Sequence, residues 1–139
     1  MTEIKPLGIN QSSGQLVSME NTWTATFGGN AFDVGESLVA NGNSMFAPVV
    51  PGSDVAKHPV VNPGRITKVG YFVVNNAGTT VGIYVSGVLQ ETFSTGAQQS
   101  GSIMLENPVV ITVNQFIELR REAGGNDPGI CLFICYVNG

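Results

Sequence analysis

His58 is the only histidine in this sequence of 139 residues, so any Ser-His-Asp or Cys-His catalytic centre would have to use it. It lies in the run Ala56–Pro59, with no nucleophile-elbow pattern nearby. We interpret His58 as an exposed loop histidine and expect the protein not to be an enzyme. A small β-sandwich hydrolase using His58 and Asp33 is the least favoured alternative.

The other potential metal or acid–base residues show no supporting pattern. One histidine and two cysteines cannot supply the four ligands of a zinc site. The ten carboxylates contain no pair at a motif spacing that would indicate glycosidase chemistry. Asp33 with Glu36, or Asn126 with Asp127, could share a calcium ion. Because Asp and Asn in loops more often form turns, we predict no metal site and no cofactor.

The two cysteines, Cys131 and Cys135, are four residues apart. On one strand they would lie on the same face about 13 Å apart. A disulfide requires Cα atoms within about 7 Å. We therefore predict free, buried thiols, which suits assembly in a reducing cytosol.

Charge also limits the possible partners. Charged residues make up 12% of the chain and the net charge is −4. The single basic pair, Arg120–Arg121, lies between Glu118 and Glu122, so we exclude a nucleic-acid partner. We interpret this cluster as a solvated strand end, with an ion pair between subunits as the alternative. We find no signal-peptide pattern and no apolar run of the roughly 20 residues that a membrane span needs, so we predict no membrane partner.

The last strand is the element around which we expect the fold to be organised. Ile130–Val137 is an unbroken apolar run of eight residues after the turn Asp127–Gly129. Successive side chains on a strand point to opposite faces, so both faces of this one need cover. With no helical periodicity to supply that cover, we expect one face in the core and the other in an oligomer interface.

Further strands are predicted by alternating apolar residues between turn signals. We predict an all-β antiparallel sandwich, a jelly roll, in one domain with two parts. Residues 1–63 form an N-terminal arm with irregular short strands that contacts a partner, and residues 64–139 form the core. The predicted strands are 22–27, 36–40, 45–50, 65–75, 80–86, 88–94, 103–105, 109–113, 116–121 and 130–137.

Four runs carry a resemblance to a known family: 63–73, 83–88, 116–120 and 128–137. They resemble, in order, its glycine-aromatic strand, a short hairpin, an "I-x-L-R" strand and a fully apolar last strand. The family is the trimeric jelly roll of tumour necrosis factor, the globular heads of complement and collagen-like proteins, and many phage virion proteins. The resemblance implies a homotrimer with the last strand near the three-fold axis.

With no collagen-like stalk and no catalytic cluster, the sequence looks most like a phage head-decoration or spike subunit, located in the virion. In this hypothesis the N-terminal half binds the major capsid protein or another virion protein. The expected trimer-interface residues are Ile130, Leu132, Phe133, Ile134 and Tyr136. The expected capsid or partner contacts are Ile4, Leu7, Ile9, Leu16 and Trp23.

The main alternative is the tip of a phage fibre that binds a receptor or a host-surface carbohydrate. It uses the same fold but assigns function to exposed loops at 95–101 and 123–128. Unrelated β-sandwich binding proteins form a third possibility.

Overall fold

A computed structural model describes the backbone at 9–10 and 15–16 and residues 22–41, 47–75, 78–124 and 127–139. Within these ranges the protein is all-β, and its one helical element is a 3₁₀ turn at Asp54–Ala56. The prediction of an antiparallel β-sandwich is confirmed. No helix in the described ranges is both long and apolar enough to cross a membrane.

Eleven strands occur in the described part of the chain. They are β1 (Ile9–Asn10), β2 (Gln15–Leu16), β3 (Thr22–Asn30), β4 (Val39–Ala40), β5 (His58–Pro59), β6 (Gly64–Val73), β7 (Thr80–Val85), β8 (Val88–Ser94), β9 (Ser100–Ile111), β10 (Phe116–Ala123) and β11 (Ile130–Asn138).

The strands form two larger sheets and one short hairpin. The five-stranded sheet has the order β4-β3-β11-β6-β9, and the four-stranded sheet has the order β5-β10-β7-β8. Strands β1 and β2 pair with each other. All pairings are antiparallel, and four of them are nested in sequence: β3 with β11, β5 with β10, β6 with β9, and β7 with β8.

The hydrophobic core lies between the two larger sheets. Strand β11 contributes four inward residues, each at most 1% exposed, and the facing strands contribute aliphatic residues such as Ile83 and Leu119. Phe133 lies at the centre, with its ring 5.7 Å from that of Phe93 and 6.3 Å from that of Phe32. The inward residues of β11 are Cys131, Phe133, Cys135 and Val137.

The core begins further toward the N terminus than residue 64. Strand β3 pairs along its whole length with β11, and its Phe27 is completely buried. The irregular segment after β3 adds Phe32 and Leu38 to the same core. Sequence punctuation by Gly and Asn indicated the loops correctly but gave no sign that the apolar residues between them pack inward.

Strand β9 is continuous, whereas the sequence analysis predicted two short strands separated by Asn107–Pro108. Proline removes a backbone donor, so an interruption was expected. Here β9 is an edge strand, and the pairing with β6 shifts register opposite this point. Glu91 of β8 accepts hydrogen bonds from the backbone N–H and the side-chain amide of Asn107, at 3.0 and 3.3 Å. These two hydrogen bonds to β8 hold Asn107 in place where the pairing with β6 is interrupted. The sequence alone does not reveal them.

Candidate interaction surface on the five-stranded sheet

The outward side of β11 is apolar although it is not in the core. Its inward residues are buried, and the residues between them are partly exposed, including Ile130 at 42%. This alternation confirms that both faces of the last strand are apolar, and among the described residues only the inward face is fully covered. The outward apolar residues of β11 are Ile130, Leu132, Ile134 and Tyr136.

Strand β6 extends this surface beside β11. Phe72 pairs with Leu132 in register, and Val74 donates its N–H to the Ile130 carbonyl at 2.9 Å. Phe72 is 44% exposed and Val74 40% exposed. The outer apolar face is therefore a contiguous patch on two central strands of the sheet. It comprises Phe72, Val74, Ile130, Leu132, Ile134 and Tyr136.

Small residues lie beside the apolar side chains of this face. On β11, Ile134 is paired with Gly70 on one side and with Thr26 on the other, and Leu132 is paired with Gly28. The Tyr136 ring lies across the space above Gly70, because a Cβ placed on Gly70 would be 3.3 Å from Cε2 of that ring. An exposed apolar sheet face of this kind is suited to packing against another surface.

One cation lies over the polar end of this face. The Lys68 ammonium sits 4.7 Å from the centroid of the Tyr136 ring, in a cation–π contact. No carboxylate within the described ranges forms an ion pair with Lys68 or with its neighbour on β6, Arg65.

Four of the five predicted interface residues, Ile130, Leu132, Ile134 and Tyr136, lie on the outer apolar face. Phe133 does not, because it points into the core and is 0% exposed. It has no surface to offer a partner while the sandwich is folded. Phe72 and Val74 were not named as interface residues, although their alternation along the predicted strand placed them together on one face.

The predicted capsid contacts are only partly described. Ile4 and Leu7 lie outside the described residues, and Ile9 and Leu16 are opposite each other in the β1–β2 pair. Trp23 is half-buried at the end of β3, where its ring stacks on the imidazole of His58, 5.7 Å away at an interplanar angle of 19°.

His58 is not an exposed loop residue, as the sequence analysis predicted. It belongs to β5, and its ring contacts both Trp23 and Phe27 across the gap between the sheets. Burial lowers the pKa of His58 below 6.5, although a hydrogen bond with the Pro59 carbonyl partly opposes this. The side chain packs the end of the sandwich, and no nucleophile contacts it among the described residues.

The charged cluster on β10 is also not a solvated strand end. Glu118 is completely buried on the outward side of the four-stranded sheet. Its carboxylate accepts hydrogen bonds from the Ser37 hydroxyl, from the Gly52 N–H at 3.1 Å, and from the Arg120 guanidinium at 3.1 and 3.2 Å. Because Ser37 also pairs with Val49 through two backbone hydrogen bonds, Glu118 fixes the irregular segment onto the sheet.

The same network determines the pKa of Glu118. Burial alone would raise the pKa of this carboxyl, but the hydrogen bonds from Arg120, Ser37 and Gly52, together with the positive charge of Arg120, outweigh burial and lower it. Arg120 also stacks on Tyr84, with 3.9 Å from the guanidinium carbon to the ring centroid. Glu118 and Arg120 therefore form an ion pair within one chain, and contacts with Ser37, Gly52 and Tyr84 stabilise it.

The remaining candidate groups have structural partners. Asp33 donates its backbone N–H to the Glu36 carboxylate at 2.6 Å, and Asp127 accepts a hydrogen bond from the Gly129 N–H at 2.6 Å. Both arrangements are turns. The described residues contain no cluster of three or more metal-ligating side chains.

Both cysteines are free and buried, as predicted. Burial raises the pKa of each thiol to about 12.

Comparison with models of protein families gives no match, and a search of curated proteins gives no significant match.

Proposed function

We propose that this protein is a non-enzymatic, homotrimeric jelly-roll subunit of a phage particle that decorates the head or forms a head spike. The observation that carries the proposal is the outer apolar face. It lies on central strands of a fully paired sheet, yet no part of the described chain covers it. Surfaces of this kind typically mark sites of protein association.

The strand order supports the jelly roll within this proposal. A jelly roll folds one long antiparallel hairpin into two sheets, so that pairs of strands are nested in sequence. The pairs β3–β11, β5–β10, β6–β9 and β7–β8 follow that pattern. The chain passes from β6 in one sheet to β7 in the other, and returns at β9.

A cyclic trimer suits the distribution of charge and apolar surface. A ring of three copies uses two different patches of each subunit, so the outer apolar face need not complement itself. The low proportion of charged residues, 12%, is consistent with a chain that loses much of its surface to neighbours. The assignment to a virion rests on the family resemblance, with the N-terminal segment as the part that binds the shell.

Light scattering on a sizing column tests the assembly. We expect a mass near three times 14.6 kDa. A monomer at micromolar concentration would remove the support for the trimer. For the virion assignment, the full chain and a chain lacking residues 1–21 are incubated with undecorated phage heads and sedimented. We expect only the full chain to sediment with the heads. If both chains sediment with the heads to the same extent, binding through residues 1–21 is refuted.

The fibre-tip alternative has one structural observation in its favour. The described loop residues 74–75, 95–99 and 127–129 meet at one end of the sandwich. Val73 donates its N–H to the Gln99 carbonyl at 2.7 Å, and Asn75 donates its side-chain amide to the Asp127 carbonyl at 3.0 Å. Residues 96–99 are exposed. A glycan array probed with the chain and with whole particles tests this function. The absence of any signal would exclude binding to the classes of glycan on the array.

A further inference from the structure

A groove lies at the opposite end of the sandwich from those loops, where β6 begins and β11 ends. Both polar and apolar side chains line it, and β11 borders it with Asn138. It lies beyond Tyr136, past the last residue of the outer apolar face. The groove is lined by Pro63, Arg65, Thr67, Val110, Thr112 and Asn138.

Arg65 provides the charge in this groove. It is exposed and forms no ion pair within the described ranges, whereas Lys57 pairs with Asp54 and Arg120 with Glu118. Strand pairing places Arg65 between Asn138 on β11 and Val110 on β9. A guanidinium presents parallel N–H donors that match the two oxygens of a carboxylate.

Neutral polar groups lie next to this cation in a fixed arrangement. The Asn138 side-chain amide donates to the Thr67 hydroxyl oxygen at 3.0 Å. This bond leaves the amide oxygen as an acceptor and the hydroxyl hydrogen as a donor. Thr112, on the other side of the groove, adds a second hydroxyl. Together these groups suit a ligand that carries hydroxyls beside its charge.

The charge balance limits the ligand further. The chain has a net charge of −4, and Arg65 is the one cation lining the groove. A polyanion or a nucleic acid would require several clustered cations. A single carboxylate is matched by a single guanidinium. Pro63 and Val110 supply apolar surface for the C–H groups of a ring.

We propose that this groove binds an acidic saccharide, with the sugar carboxylate on Arg65 and the sugar hydroxyls on Thr67 and Asn138. The groove adjoins the polar end of the outer apolar face, because Asn138 follows Tyr136 on the same side of β11. It lies at the opposite end of the sandwich from the loops of the fibre-tip alternative. Sugar binding and oligomeric mass are separate measurements, so each is made on the parent and on every variant.

The test is an amide NMR titration of the full chain with glucuronic acid and N-acetylneuraminic acid, and with glucose and acetate as reference ligands. We expect saturable shifts around Arg65, Thr67 and Asn138 with the acidic sugars, and much weaker ones with glucose or acetate. Arg65→Gln should weaken binding about tenfold or more, because a charge-assisted hydrogen bond is lost. Lys57→Gln removes an equal charge just before β5, at a residue that does not line the groove, and should leave binding unchanged.

Absence of shifts at sugar concentrations of tens of millimolar would overturn the proposal, as would equal shifts with glucose or with acetate. Light scattering on Arg65→Gln gives a further check. If Arg65→Gln binds the sugars as the parent does, Arg65 is not part of a sugar site and the proposal is refuted. If Arg65→Gln instead dissociates an oligomer that the sugars do not affect, Arg65 makes a contact between copies and the saccharide site is again refuted. A monomeric parent that binds the sugars would refute the trimer and leave the groove assignment intact.

Discussion

Neighbouring residues on β11 should respond in opposite ways to mutation, because they point to opposite faces. Ile134 lies in the middle of the outer apolar face, and Phe133 is in the core. We predict that Ile134→Asp dissociates the trimer and leaves the subunit folded. Phe133→Ala should destabilise the fold, and any loss of trimer should follow from unfolding.

Ile134→Asp should mainly change the free energy of trimer formation, whereas Phe133→Ala should mainly change the free energy of unfolding. An unpaired charge buried in an interface costs about 3 kcal/mol or more. A three-fold assembly contains that cost three times, so Ile134→Asp should weaken trimer formation by roughly 9 kcal/mol. In the monomer Ile134 is only half-buried, and the free energy of unfolding should fall by about 1 kcal/mol. Phe133→Ala removes a fully buried ring and should lower that free energy by about 3–5 kcal/mol.

Two measurements separate these effects. Light scattering gives the mass of each variant over a range of concentrations, and urea unfolding followed by circular dichroism gives the free energy of unfolding. Thr92→Asp is the matched control, because it places the same charge on an exposed position of the other sheet. A trimer that persists in Ile134→Asp, with native stability, would refute the outer apolar face as the interface.

Three further predictions concern the buried titratable groups. Glu118→Gln should lower the free energy of unfolding by about 1.5–3 kcal/mol at pH 7, since charge-assisted hydrogen bonds are lost. The pKa of Glu118 in the folded protein lies below its usual value. Its contribution to the free energy of unfolding is therefore complete above about pH 5 and is lost as the pH falls through the folded pKa. In urea titrations at acid pH, the parent and Glu118→Gln should therefore have the same free energy of unfolding. Fluorescence of the single tryptophan, Trp23, should be quenched as the stacked His58 protonates, with a midpoint below pH 6.5 because burial lowers that pKa; a profile unchanged in His58→Ala would contradict this assignment. Both cysteine thiols should resist a disulfide-exchange reagent at pH 8 and react in denaturant, since burial raises each pKa to about 12; rapid reaction of the folded protein would contradict their burial.

The fold was predictable wherever the pattern of apolar residues along a single strand decides which side chains are buried. The unbroken apolar run of β11 predicted its length, its two apolar faces and the free thiols. Alternation placed Trp23, Ala25 and Phe27 together on the inward side of β3. These inferences need only the period of a strand and the sizes of the side chains.

The buried polar residues were not predictable in the same way. Glu118 next to two arginines is typical of an exposed strand end. Its burial depends on Ser37 and Gly52, which are 81 and 66 residues away in sequence. His58 similarly requires Trp23 from the other sheet. A single sequence does not reveal such long-range partners, because local residue types do not specify them.

The two sheets differ in how their outward sides are covered. On the four-stranded sheet, Glu118 lies beneath the chain's own segment, which is held by Ser37 and Gly52. On the five-stranded sheet, the described chain leaves Phe72 44% exposed and Ile130 42% exposed. Burying these side chains against a partner would gain roughly 25 cal/mol for each Å² of apolar area removed from water. Covering this face would therefore favour association, which supports assembly through the outer apolar face.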